Sequence, residues 1–394
     1  MKSPLYIRDF SLCCNLGTDK RTVWNALCRG VRPKFVRMTF CGKERLVASV
    51  PEEYFSPVAI PAFDTRVNRL AECALQKLEG PVRNLVSEFG ADRVGVFIGS
   101  SDNGAEESLR ALESFRKNGA FPPHFTLKKQ QANFVAEYVA ERFGILGPVF
   151  THSSACASSA SVFASAENWI ASGLCDAAIV GGVDVVSKTV VLGFDSLEAV
   201  SMHPTNPFSR NRSGLTIGEG AAFLIVSAKG ENSPYKLIGL GESSDADHLT
   251  APRADGMGAI LAMEKALSDA GILPSDVDYV NLHGTGTELN DAMESVAVHR
   301  IFGDGTRASS TKGMTGHTLG AAGSLEAAFC LLALSNENAE RLLPVHVFDG
   351  VRDEALPQIH LAGLGEKATR LKICMSNSFG FGGCNVSLIF SRNG

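Results

Sequence analysis

No cysteine pair in this 394-residue chain has the C-x-x-C spacing of a redox or metal motif, although ten cysteines are present. Cys13 and Cys14 are adjacent, but no downstream pair answers them as a metal site would require. Scattered free thiols of this kind point to a reducing compartment, the cytoplasm. Nowhere do 18 apolar residues run together, so no membrane-spanning helix is expected. The opening Met1-Lys2-Ser3-Pro4-Leu5-Tyr6 lacks the apolar core of a signal peptide. The net charge of -5 lacks the basic excess that nucleic acid as main partner would call for. Low-complexity tracts and long charge runs are absent too.

Several well-known catalytic signatures are also missing. The chain has no G-x-S-x-G elbow and no Walker A loop. Gly284-Thr285-Gly286 follows a strand-like run but lacks the third glycine of a dinucleotide fingerprint. Ser309-Ser310-Thr311-Lys312 fits S-x-x-K and Ser101-Asp102-Asn103 fits S-D-N, two marks of penicillin-recognising enzymes. Their order is reversed and no K-T-G follows, which excludes that class. The papain-type context is absent around Cys156.

What is present is an ordinary globular composition, 45% hydrophobic and 20% charged. Short β-branched runs read as buried strands: Arg93 to Ile98, Ala177 to Val180 stopping at Gly181-Gly182, Ala222 to Val226, Val277 to Leu282, Ile373 to Met375 and Val386 to Phe390. Helical patterns lie between them, as at Ile260 to Ala270 and Leu325 to Leu334. Strands alternating with helices predict an α/β protein whose sheets are covered on both faces. The polar stretch Ala228 to Pro234 divides the chain into halves, residues 1–230 and 231–394. Each half carries a small-residue turn followed by an Ala/Ser/Gly-rich helix, Ser154 to Ala166 and Gly316 to Ala328, a pattern of internal duplication.

Three cassettes carry reactive side chains in runs of small residues, where loops expose them and helices begin. They are Ser153-Ser154-Ala155-Cys156-Ala157-Ser158-Ser159, His283-Gly284-Thr285-Gly286-Thr287 and Lys312-Gly313-Met314-Thr315-Gly316-His317. Phe150-Thr151-His152 is strand-like and Ala155 onward helical, which places Cys156 at a strand-to-helix turn. There the helix dipole and free N–H groups favour a thiolate and can hold an oxyanion. A small buried cysteine in a packed helix is the bland alternative. His283 and His317 also fit hydrogen-bonded structural histidines, and Lys312 with Glu326 fits a solvated surface pair. Asn377-Ser378-Phe379-Gly380-Phe381-Gly382-Gly383 reads as a hinge with two aromatics, or as a tight turn with core aromatics.

Together, S-S-A-C-A-S-S, H-G-T-G-T, K-G-M-T-G-H-T-L-G-A-A-G and N-S-F-G-F-G-G resemble the elongating β-ketoacyl-acyl carrier protein synthases along nearly the whole chain. The resemblance implies the thiolase-like fold, two similar α/β halves in a five-layer αβαβα arrangement. It implies a decarboxylative Claisen condensation between an acyl chain held on Cys156 and malonyl carrier protein, extending the chain by two carbons. In this resemblance His283 and His317 promote decarboxylation, while Lys312 and Glu326 form an orienting ion pair. The backbone N–H groups of Cys156 and Phe381 form the oxyanion hole, Phe379 and Phe381 the gate, and Thr250, Thr285 and Thr287 contact the pantetheine arm. No metal and no bound cofactor are implied, since phosphopantetheine arrives on the acyl carrier protein. The resemblance further implies a homodimer, or a heterodimer with a related subunit.

A priming synthase would carry Cys-His-Asn, and a thiolase a second catalytic cysteine in a different loop context from that of Cys384. A catalytically silent chain-length-factor-like partner is the other reading, and Cys156 argues against it. Departures from the family pattern include the opening Leu5 to Phe10, Glu288 where proline is common, Asn206 before Pro207-Phe208, and Ser213 after Arg212. None removes a reacting group, and they favour a specialised polyketide or aryl-polyene pathway over housekeeping fatty-acid synthesis. An acidic carrier protein would need a local basic cluster, for which Arg66, Arg69, Lys128 and Lys129 are candidates unless they are ordinary solvated charges.

Overall fold

The computed structural model describes residues 4–101, 104–230 and 232–393. Asp102 and Asn103 of the S-D-N match and Glu231 of the dividing stretch lie outside the described residues. The first half contributes β1 (Leu5–Cys14), β2 (Val36–Phe40), β3 (Lys43–Ala48), β4 (Val94–Gly99), β5 (Val149–His152), β6 (Ala177–Asp184), β7 (Ile217–Gly218) and β8 (Gly220–Ser227). The second contributes β9 (Tyr235–Ser244), β10 (Tyr279–Asn281), β11 (Arg307–Ser309), β12 (His360–Leu361), β13 (Ile373–Gly380) and β14 (Cys384–Arg392).

The same topology occurs twice. In the first half the strand order is β1-β8-β6-β4-β5, and in the second it is β9-β14-β13-β10-β11, with β12 added at the edge. In each set the two pairs at the β8 or β14 hairpin are antiparallel and the remaining pairs are parallel. Leu5–Ile7 pair with Tyr235–Leu237 and join the two sets at one edge into an eleven-stranded sheet. Strands β2, β3 and β7 form a separate small sheet.

Alternation along the strands sorts side chains into layers. Ala222, Leu224 and Val226 of β8 face a central cluster with helices Ser158–Ala171 and Ala322–Ala333. Ala221, Phe223 and Ile225 face outward onto helices Arg66–Leu75 and Phe134–Phe143. On the other sheet, Val386, Leu388 and Phe390 look inward, while Ile389 and Met375 pack against helix Met257–Ala270. The result is five layers, helix, sheet, helix, sheet, helix. Every residue of Ala322–Ala333 is buried, as expected for a helix sandwiched between two sheets and apolar all round. Among the described residues no helix is long and apolar enough to cross a membrane.

Two strand boundaries differ from those the sequence predicts. Strand β6 does not stop at Gly181-Gly182 but runs through both glycines. A side chain at Gly181 would meet the Ala222 carbonyl at 2.2 Å, and one at Gly182 would meet Ser159 Cβ at 2.5 Å. Gly182 therefore lets the strand and the central helix approach closely, Gly181 leaves room for the neighbouring strand β8, and the pair is no turn. Likewise Asn377 to Gly380 belong to β13, leaving only residues 381–383 for the hairpin turn.

Candidate active site

The reactive cassettes converge at the carboxyl ends of the parallel strands, where open α/β sheets place their sites. Cys156 lies in a single turn, Ala155–Ala157, between β5 and helix Ser158–Ala171. Ala155 takes a left-handed φ of 49°, a strained conformation for a residue with a side chain. His283 leaves the end of β10, and His317 follows the short helix Lys312–Thr315 beyond β11. Phe379 ends in β13 and Phe381 sits in the hairpin after it.

The geometry is tight. His317 Nε2 is 2.9 Å from Cys156 Sγ, and the two imidazole rings meet edge to face with centroids 5.3 Å apart. Phe379 packs its ring edge against His283 at 5.9 Å. Cys156, His283 and His317 are all buried, and they line a cavity of about 450 Å³. Thr250, Thr285 and Thr287 line the same cavity, with the Thr285 and Thr287 hydroxyls 2.9 Å apart. Phe381 is half-buried and leans on Phe194, ring centroids 5.4 Å apart.

Lys312 and Glu326 form an ion pair with both side chains almost fully buried, so the surface-pair alternative is wrong for them. Burial raises the Glu326 carboxyl to about 7, against the pull of Lys312. Burial also holds His283 and His317 well below the usual imidazole range, and the Lys312 charge pushes both further down. Both rings are therefore neutral at neutral pH. Among the described residues Nδ1 of each ring has no partner, whereas Nε2 of His317 faces the sulfur. We assign the His317 proton to Nε2, which leaves only a lone pair unpaired at Nδ1.

The thiol does not behave as its helix-start position alone predicts. Burial pushes Cys156 up to about 12, although Lys312 and the backbone N–H groups of Phe381 and of Cys156 itself pull it down. Desolvation outweighs the local favourable field, so the resting side chain is a thiol.

Cys156 sulfur and a nitrogen of each histidine lie within 4.8 Å of one another, a donor set attractive to soft divalent ions. Two features oppose a resident ion. Neither Nδ1 has the partner that orients a metal-bound imidazole, and the Lys312 charge acts on both rings.

Sequence reading missed the groups that hold this arrangement. Glu294 accepts the backbone N–H of His283 and of Gly284, each at 2.7 Å. Backbone at Thr216 and Gly218 brackets His317, accepting its N–H at 2.7 Å and donating to its carbonyl at 2.9 Å. Asp184 accepts from Ser100, Ser101 and Gly320. The four basic docking candidates are all engaged. Arg66 pairs with Glu219 and Glu52, Arg69 with Asp64, and Lys128 with Glu137, while Lys129 donates to the Asp64 carbonyl.

Two family models match the chain, the β-ketoacyl synthase N-terminal domain over residues 69–231 and its C-terminal domain over residues 236–346. The chain belongs to the β-ketoacyl synthase family. It is 32% identical to 3-oxoacyl-[acyl-carrier-protein] synthase 2 of Vibrio cholerae over 86% of each chain. It is 30% identical to nodulation protein E of Rhizobium meliloti over 96% of each. Among solved structures it resembles a chain of the complex between the ketosynthase ApeO and its chain length factor ApeC from Xenorhabdus doucetiae. That match has a TM-score of 0.91 and 37% identity, and covers 99% of this chain and 98% of the other. The two family models end before Phe379 and Phe381, whose place at the site rests on the cavity lining and the Phe379–His283 contact.

Proposed function

We propose that the chain is the catalytic ketosynthase of an elongating system, extending carrier-bound acyl chains by decarboxylative condensation with malonyl carrier protein. The observation that carries this reading is the 2.9 Å contact between His317 and Cys156, beside a second neutral imidazole in one buried cavity. A silent partner subunit would have no use for that contact.

In the loading half-reaction, Cys156 sulfur attacks the acyl thioester of the carrier's phosphopantetheine, and the thiol proton ends on the departing pantetheine sulfur. His317 Nε2–H, Lys312 and the two backbone N–H groups favour the transient thiolate. In the second half-reaction the malonyl thioester loses CO2, and its carbonyl oxygen gathers negative charge. Two neutral imidazole N–H donors stabilise that enolate by hydrogen bonding, without giving up a proton during the step. The enolate carbon attacks the Cys156 thioester, and the oxyanion rests on the N–H groups of Cys156 and Phe381. Collapse expels the Cys156 thiolate, which takes up one proton, and releases 3-ketoacyl carrier protein. Phe379 and Phe381 gate the acyl side, and Thr250, Thr285 and Thr287 hold the pantetheine arm.

The likeness to the complex of the ketosynthase ApeO with its chain length factor ApeC favours the aryl-polyene branch. By that analogy this chain pairs with a related subunit; we place it in the cytoplasm on its scattered free thiols. We also assign its two halves to residues 1–230 and 231–394, with Cys156 in the first and both histidines in the second.

The test is product formation from acyl and malonyl carrier thioesters across pH. At pH 6 an ordinary imidazole is roughly one-quarter neutral, so about one molecule in twenty would hold two neutral rings. The depressed pKa values of His283 and His317 predict instead a condensation rate from preloaded enzyme that stays level from pH 8 to 6. Protonating Glu326 below about 7 leaves Lys312 less compensated, which keeps the rings neutral. A fall centred near 6.5 contradicts the role of neutral imidazoles, and absence of product at every pH contradicts the ketosynthase reading.

A further inference from the structure

The duplicated fold contains two copies of the turn that carries Cys156. In the first half Ala155 has φ 49° and is followed by Cys156, Ala157 and helix Ser158–Ala171. In the second half Leu319 has φ 55° and is followed by Gly320, Ala321 and helix Ala322–Ala333. Gly320 thus occupies the place of Cys156. The strand ends are duplicated too, since β6 closes at Asp184 opposite Gly220 and β13 closes at Gly380 opposite Cys384. Each strand end packs on the other half's turn. A Cβ at Gly380 would lie 3.2 Å from the Ala157 nitrogen, and a Cβ at Gly320 would lie 2.6 Å from Asp184 Oδ2.

The two copies differ in what fills them. At the first, Gly380 has no side chain, so the N–H groups of Cys156 and Phe381 remain beside the sulfur and the cavity. At the second, the fully buried Asp184 carboxylate takes the Gly320 N–H at 2.6 Å. The same carboxylate takes the Ser100 hydroxyl at 2.8 Å, the Ser101 hydroxyl at 2.8 Å and the Ser101 N–H at 3.0 Å. It therefore joins the ends of β4 and β6 in the first half to the turn three residues beyond His317 in the second.

We propose that Asp184 is a positioning residue: it plugs the second, unused amide cradle at Gly320 and thereby sets His317 against Cys156. An anion built into the fold does at Gly320 what a reaction oxyanion does at Cys156, with the difference that it stays. The carboxylate also bears on the reacting sulfur, because its charge raises the Cys156 thiol. Gly320 is required because any side chain there would enter the space of Asp184 Oδ2 and of the Ser101 nitrogen, 2.8 Å away.

The proposal rests on the roles given above to Cys156 and His317. Asp184→Asn keeps the shape and removes the charge. Misplacing reacting groups by a fraction of an ångström is expected to lower kcat for condensation roughly tenfold to a hundredfold, with KM for malonyl carrier protein unchanged. The pH midpoint for iodoacetamide alkylation of Cys156 should move down, because a negative charge leaves its surroundings. Gly320→Ala should reproduce the kcat loss, and the double variant should be no worse than the poorer single one. Wild-type kcat in Asp184→Asn, an unmoved alkylation midpoint, or additive losses would each overturn the proposal. Where Asp184→Asn does not fold, Ser101→Ala removes one donor, and the same loss in kcat alone is expected, with wild-type kcat overturning it. If the wild-type chain itself neither loads nor condenses, the ketosynthase reading fails instead.

Discussion

Cys156→Ala is expected to lose acyl loading altogether and condensation on the order of 10³-fold or more, while still releasing CO2 from malonyl carrier protein. The separation follows from where each group stands. Loading needs the sulfur, since no other described thiol lies with both imidazoles in the cavity. Decarboxylation needs only donors for the enolate oxygen, and alanine leaves His283, His317 and the Lys312–Glu326 pair in place. Alanine also removes the one group bonded to His317 Nε2, freeing that N–H for the malonyl carbonyl. Radiometric CO2 release and intact mass, measured on one preparation, check both halves. Loading of the alanine variant would remove Cys156 from its role.

His317→Ala should show the converse. The thiol loses one of several groups favouring its anion, while Lys312 and the two N–H groups remain, so loading slows but persists. The enolate loses one of two buried donors, a loss worth about 10²- to 10³-fold in the condensing step. Single-turnover kinetics from preloaded enzyme isolates that step. A condensing rate within a few-fold of wild type would show that His317 does not face the enolate.

Much of this arrangement is legible in the sequence because the reacting groups sit in short, glycine-rich loops at strand ends. Cys156, His283 and His317 each follow a strand or a turn that local pattern reveals, and their order along the chain identifies the chemistry. The supports are less visible. Asp184 closes an apolar strand, and Glu294 lies in the middle of a helix. Each binds backbone N–H groups, which leave no residue type to recognise. Strand β7 is two residues long, too short for any periodicity, yet its Gly218 and the preceding Thr216 fix the His317 backbone.

Two local readings fail for one physical reason, although the family resemblance already implies the Lys312–Glu326 pair. A thiol at a helix start reads as a thiolate, and a lysine near an acid reads as a surface pair. Burial reverses both. It lifts Cys156 to about 12 despite its favourable neighbours, it holds both imidazoles neutral with the Lys312 charge adding to the effect, and it makes Lys312 and Glu326 a dry pair. Depth in the fold is set by the sandwiching of helix Ala322–Ala333 between sheets, and a single cassette carries no record of it. The Gly181-Gly182 pair misleads for a related reason, since Gly182 serves close contact with Ser159 in the next layer and Gly181 with Phe223 on the neighbouring strand.

The central claim is that Cys156 holds the growing chain between two carrier-bound partners. Intact-protein mass spectrometry after a pulse of acyl carrier protein, followed by a chase with malonyl carrier protein, tests it most directly. The account predicts an acyl adduct on the peptide containing Cys156 that disappears in the chase as 3-ketoacyl carrier protein forms. An adduct on another residue, or one that survives the chase without a new carbon–carbon bond, would contradict it.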